Sequence, residues 1–153
     1  MTRDDTTITM TMIMEPKHAN VFGNVHGGEI MHLMDTTAGC TAIKYAKCSC
    51  VTARVDEMQF IKPIHIGSFV TCTGTVVYTG NTSLEVRVTV DTEDIRDSES
   101  KHRALESFFT FVALDKAGRP TSVPRFIPET DREKELYEHV KIRREFDRER
   151  RKK

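Results

Sequence analysis

An α+β fold, with one long helix against a sheet of about five antiparallel strands, is predicted by three features of the sequence. One stretch, 27–46, places apolar residues at the helical period. One run before it and four after it are rich in β-branched residues, several of them alternating. The links between the later runs are short, which favours antiparallel pairing over crossovers. At 153 residues the chain has the length of one domain and can bury a core without staples.

Residues 7–14, TITMTMIM, alternate and read as the first strand. Pro16, Asn20, Gly23 and Asn24 then supply loop chemistry up to residue 26. In the helix, Ile30, Met34, Ala38 and Ala42 recur every four residues on one face. The small residues from Thr36 to Ala42 let a sheet approach closely. Strands follow at 51–60, 69–79, 83–92 and 105–114. In the third of these, Leu84, Val86, Val88 and Val90 alternate with Glu85, Arg87 and Thr89, giving one apolar and one polar face. In the fourth, ESFFTFVAL is apolar on both faces, as a central strand should be. Gly80-Asn81-Thr82 is a hairpin turn, whereas the connection at 94–103 is longer and highly charged. One helix covers only part of such a sheet, so dimerisation by sheet extension would protect the rest.

Residues 129–153 differ in kind, with 10 basic and 8 acidic side chains among 25. They read as a solvated charged helix, relieved by Leu136, Val140, Ile142 and Phe146. The last 13 residues hold 8 basic against 3 acidic, which leaves a case for binding nucleic acid or an anionic ligand. The whole chain has zero net charge and 38% hydrophobic residues, so its overall field favours no partner, and no apolar run suits a membrane span. The first ten residues lack a continuous apolar region and do not read as a secretory signal. The four cysteines, at 40, 48, 50 and 72, form no zinc set, and the six histidines show no ligand spacing. No metal is expected, and free thiols in a reducing cytoplasm fit this usage.

One stretch points to chemistry: NVHGGEIMHLMD, 24–35. Asp35 lies well inside the helix beside Met34, where a core-facing acid is costly unless paired or used. Gly27 and Gly28 stand at the helix start, where unpaired N–H groups meet the positive end of the dipole. Each residue also has an ordinary reading. Asn24 suits a turn, Gly27-Gly28 a tight bend, and His26 a packed or exposed ring. Cys40 lies five residues after Asp35, and a structural thiol suits it better than a nucleophile.

The order strand, glycine turn, long helix, four antiparallel strands resembles the hot-dog fold, in which a curved sheet wraps one helix. Within it, GNVHGGEIMHLMD (23–35), DEMQFIKPIHIG (56–67), TGNTSLEVRVTV (79–90) and FTFVALDKAGRPTSVP (109–124) resemble the acyl-CoA thioesterase family. The resemblance covers about 8–124 as the thioesterase domain; 125–153 is left as a charged, helical C-terminal extension. Ser68 stands where many relatives have Asp, a small departure at a turn.

The resemblance implies hydrolysis of acyl-CoA to free CoA and a fatty acid, without a cofactor. It also implies Asn24 and Asp35 as catalytic positions, and a cytoplasmic homo-oligomer, a dimer assembling as a trimer of dimers (a hexamer). A thioester carbonyl needs an attacking oxygen and a home for the oxyanion. Gly28 N–H is the expected oxyanion donor, with Gly27 and His26 beside the substrate. Asp35 serves as general base or as nucleophile, and Asn24 orients water or carbonyl. For the CoA phosphates, Arg54 and Arg125 are candidates, with Gly80, Asn81 and Ser83 along the pantetheine arm.

Two other readings compete. A non-catalytic acyl-CoA sensor with a basic tail has no need of Asp35, and the sequence shows no helix pair for DNA. A thioester hydratase needs a histidine–acid pair that His26 and Asp35 do not resemble.

Overall fold

The computed structural model of the protein describes residues 3–153. The absence of a secretory signal was read in part from residues 1 and 2, which lie outside the described residues. Strand β1 (Thr7–Ile13) leads through a loop to helix α1 (Gly27–Ala46). Strands β2 (Ser49–Val55), β3 (Phe69–Thr79), β4 (Ser83–Asp94) and β5 (Asp97–Leu114) follow, then helix α2 (Asp131–Arg151). The strands form one antiparallel sheet in the order β1-β3-β4-β5-β2. Helix α1 touches every strand, so the sheet curls around it in the hot-dog manner.

The predicted helix face is the buried one: Ile30, Met34, Ala38 and Ala42 meet Val70, Val86, Val88 and Phe111 in the core. Close approach is set by Gly74 on β3, where a Cβ would lie 2.5 Å from Thr41 Oγ1. Thr37 and Thr41 enter this core because each hydroxyl donates to the carbonyl four residues back, Leu33 O and Thr37 O. β5 is internal, as its two apolar faces require. At edge strand β1, a ladder of threonine hydroxyls (Thr9–Thr73, Thr11–Thr71) lines the exposed side.

Three expectations change. The strand at 51–60 ends at Val55; residues 56–64 instead run beside β5, held by Asp56 N to Phe108 O and Ile61 N to Ala104 O. The connection at 94–103 is mostly strand, because Ile95 and Arg96 turn the chain and β5 begins at Asp97. Its charges sit on an exposed arm, where Arg103 pairs with Asp91 across the strands.

The third change concerns the tail. Helix α2 is capped reciprocally by Thr130 and Glu133 and lies on the outer face of the sheet instead of in solvent. Val140 is fully buried, Tyr137 packs on Tyr78, and His139 lies by Phe108. Glu85, read as solvent-facing, is therefore only 1% exposed and accepts from Arg143, Arg144 and Thr110.

Candidate active site

The loop before α1 is built from its own polar groups. His18 is buried, accepts at Nδ1 from Glu15 N and supplies its carbonyl to His26 N. Asn20 folds the segment 20–24 into a tight turn. Its Oδ1 accepts from Phe22 N at 2.9 Å and Asn24 N at 3.2 Å, and its N–H donates to Asn24 O at 2.7 Å. With the amide oxygen so engaged, the nitrogen is the end presented to a ligand. Val25 N donates to Ile64 O, and Asn24 forms a bridge with His65, tying this loop to residues 61–65. Between them lies a recess of about 320 Å³, lined by Asn20, Asn24, Gly27 and Phe60 among others.

At the helix start His26 is the N-cap, and its Nδ1 accepts from Gly28 N at 2.9 Å. The Gly28 N–H expected to hold an oxyanion is therefore occupied. Glu29 N donates to His26 O, so the first-turn donor without a partner among the described residues is Gly27 N–H. Gly27 also faces the recess. A Cβ on Gly28 would sit 3.0 Å from His26 Nδ1, so the second glycine makes room for the cap.

Asp35 is not buried. In the single chain it is exposed on the flank of α1, with Oδ1 accepting from Thr52 Oγ1 at 2.7 Å. The reason lies in β2. Its register against β5 slips between Thr52 and Arg54, a β-bulge at Ala53. Without the bulge, Thr52 and Arg54 would point to one face. With it, Thr52 meets α1 while Arg54 reaches Asp147 of α2 on the other face. Asp35 does not line the recess that holds Asn20 and Asn24. One chain does not bring the two halves of the candidate site together.

The side chains proposed for CoA are distributed differently. Arg54 is committed to Asp147 and Asp56. Gly80, Asn81 and Ser83 form the expected turn, but Ser83 Oγ accepts from Arg144 of α2 and Asn81 O accepts from Val123 N. Arg125 is exposed beside buried Phe126. Two thiols are held protonated: burial pushes Cys72 up to about 11, and burial, then neighbouring Cys48, pushes Cys50 up to about 11. Two further polar residues come into view here: Asn20 lines the recess and Thr52 holds Asp35. In the sequence Asn20 reads only as turn chemistry, and Thr52 carries no local signal.

A sequence profile of the thioesterase superfamily matches residues 22–99. The rat cytosolic acyl coenzyme A thioester hydrolase is 39% identical over 132 residues, 86% of this chain but 35% of its own length. The chain thus spans about a third of that relative. The crystal structure of an acyl-CoA hydrolase from Bacillus cereus superposes with a TM-score of 0.89 at 35% identity, covering 97% of this chain and 90% of the other. A hexameric acyl-CoA thioesterase superposes as well, with a TM-score of 0.89 at 33% identity, covering 97% and 94%. An acyl-CoA hydrolase from Staphylococcus aureus, solved with butyryl coenzyme A and coenzyme A, gives 0.87 at 34% identity, covering 97% and 90%. Alanine variants of that enzyme at an asparagine, an aspartate and a threonine have also been solved. The asparagine lies 15 positions before the aspartate, and the threonine 17 after it. Wrapped helix, glycine-started α1 and the sequence match agree: this chain belongs to the thioesterase superfamily.

Proposed function

We propose that the protein is an acyl-CoA thioesterase, hydrolysing the thioester of a fatty acyl-CoA to free CoA and a carboxylic acid in the cytoplasm. The observation that carries this is a spacing. Asn20, Asp35 and Thr52 stand 15 and 17 positions apart, as do the three residues substituted in the Staphylococcus aureus hydrolase. The structure independently joins two of them by a hydrogen bond. This gives Asn20 the part first read for Asn24, and leaves Asn24 to hold the turn.

In this reading Thr52 fixes one oxygen of Asp35, and the other takes a proton from water as it attacks the carbonyl carbon. The oxyanion is held by Gly27 N–H and by the Asn20 amide nitrogen. When the tetrahedral intermediate collapses, the C–S bond breaks and the proton passes from Asp35 to the CoA thiolate. No metal or cofactor is needed for this sequence of steps. The site is completed between chains: a second copy pairing through edge strand β2 would cover exposed Val51, Val55 and Met31 and bring its Asp35–Thr52 pair to the Asn20 recess. Three such dimers would give the hexamer.

The test is release of free thiol from acyl-CoA of several chain lengths by the wild type, Asn20→Ala and Asn24→Ala. Asn20→Ala should lose at least about 10²-fold in kcat, the scale of a lost oxyanion donor, and Asn24→Ala much less. The reverse order would return the role to Asn24. No hydrolysis by the wild type would remove the function.

A further inference from the structure

We infer that a second copy of this chain docks on the outward flank of α2, the two helices lying antiparallel about a two-fold axis near residue 144, and that this contact joins the β2-edge dimers into the hexamer. The inference takes from the reading above only that dimer and that hexamer, not the thioester chemistry. A single two-fold contact closes at two chains. Anything larger needs a second contact, and two-fold contacts on two different axes generate a ring of dimers. Helix α2 lies on the outer face of the sheet, and none of its residues lines the Asn20 recess. A copy seated there leaves both halves of the candidate site in place.

The apolar part of the flank is small but continuous. Val140 is the buried contact of α2 with the sheet. Ile142 and Phe146 fall about 160° and 120° round the helix from it, on the same side. They are 63% and 59% exposed, and their i, i+4 spacing makes them neighbours. Arg150 Cζ lies 6.0 Å from the centre of the Phe146 ring, so a cation borders the patch. Two exposed apolar side chains alone decide nothing, since scattered ones are ordinary.

Charge decides the occupant and its direction. Residues 129–139 hold 5 acidic against 2 basic side chains, and residues 141–153 hold 8 basic against 3 acidic. An antiparallel pair therefore lays the acidic half of each helix along the basic half of the other, whereas a parallel pair opposes like halves. Positions equally far to either side of 144 then face each other across the axis. Ile142 meets Phe146 of the second copy, Glu138 meets Arg150, and Glu135 meets Lys153, just past the helix end. The two-fold axis repeats every pair, so the flank is complementary to itself. Glu135 already takes Arg132 at 2.9 Å, but both side chains are exposed and such a pair exchanges at little cost. A uniformly anionic surface would be repelled by the acidic half, which leaves a second copy as the fitting occupant.

The experiment is sedimentation of the full chain over a dilution series, with far-ultraviolet circular dichroism as the check on folding. Wild type should sediment as a hexamer, and Ile142→Asp/Phe146→Asp as a dimer. Glu135→Lys/Glu138→Arg should weaken association of dimers at least tenfold. Adding Arg150→Glu/Lys153→Glu to that same chain should restore it, because each reversed charge again faces its opposite. All four charged positions are exposed, so this series decides even if the aspartate variant fails to fold. A wild type that never exceeds a dimer overturns the proposal. So does a hexamer that survives the aspartate pair, or a charge reversal that the second reversal leaves unrepaired. Monomers from the aspartate variant would uphold the α2 contact and fault the β2-edge dimer instead.

Discussion

In the isolated chain Asp35 accepts one described side-chain hydrogen bond, from Thr52 Oγ1, and this shapes what substitutions near it should do. Asp35→Ala should reduce kcat at least about 10²-fold, the scale of a lost general base. Because Asp35 is exposed, folding stability should stay within about 0.5 kcal/mol, read by denaturant titration. Thr52→Ala leaves the carboxylate free to rotate and should lower kcat about tenfold with little change in KM, while Thr52→Ser restores it. A Thr52→Ala variant with wild-type kcat would remove Thr52 from the site. Asp35 was legible in the sequence because an acid breaks the pattern of Ile30, Met34 and Ala38, though for a reason that did not hold: the position is exposed in one chain, not core-facing. Thr52 was not legible, since it stands 17 residues beyond Asp35 and its contact depends on the bulge at the neighbouring Ala53. Asn20 and Asn24 share one turn, and only coordinates show which amide oxygen the turn consumes.

At the scale of elements, helix–sheet spacing is the most demanding feature. Gly74→Ala would drive a methyl group against Thr41 Oγ1 and the Thr37 carbonyl, both fixed in the core. It should cost about 1–3 kcal/mol in denaturant titration, as overpacking does. Helix α2 is charged and helical as the sequence reads, but its packing on the sheet was not legible. Its composition gave the charges, but a charged face looks the same whether its partner is water or a sheet carrying Glu85. Deleting residues 129–153 should leave hydrolysis at 20 °C, because no proposed catalytic residue lies there. It should also lower the thermal midpoint by several degrees as Tyr78 and Phe108 lose their cover. A truncated protein as stable as the full chain would return α2 to solvent. The β4–β5 arm gives a pH test. Hydrogen bonds from Arg87 hold the Glu106 carboxyl below its usual range. A lowered folded pKa stabilises above the unfolded value near pH 4 and is lost as pH falls through the folded one. Wild type should therefore exceed Glu106→Gln by no more than about 1 kcal/mol at pH 7, since the pair is partly exposed, and that margin should shrink as the pH falls below about 4.

For the whole molecule, the succession of elements along the chain and the helix span were readable because each element carries its own period. The sheet order was not, since β2 lies beside β5 and not beside β3 despite the short link between them. Assembly was readable only as a need, one helix being too little cover for five strands. The structure makes that need specific. Val21 and Phe22 are 93% and 86% exposed beside the Asn20 recess, and β2 is an edge strand with apolar side chains outward. Asp35 and Thr52 lie on that same β2 flank, away from Asn20. The central claim is that a working site takes Asn20 from one chain and Asp35 from another. Co-expressing Asn20→Ala with Asp35→Ala, each inactive alone, tests it most directly. Random pairing makes about half of all dimers mixed, and each mixed dimer holds one site with both defects and one with neither. Thiol release from acyl-CoA should therefore recover to about a quarter of the wild-type rate. If one chain supplied both residues, every site would carry a defect, and activity would stay at the level of the single variants.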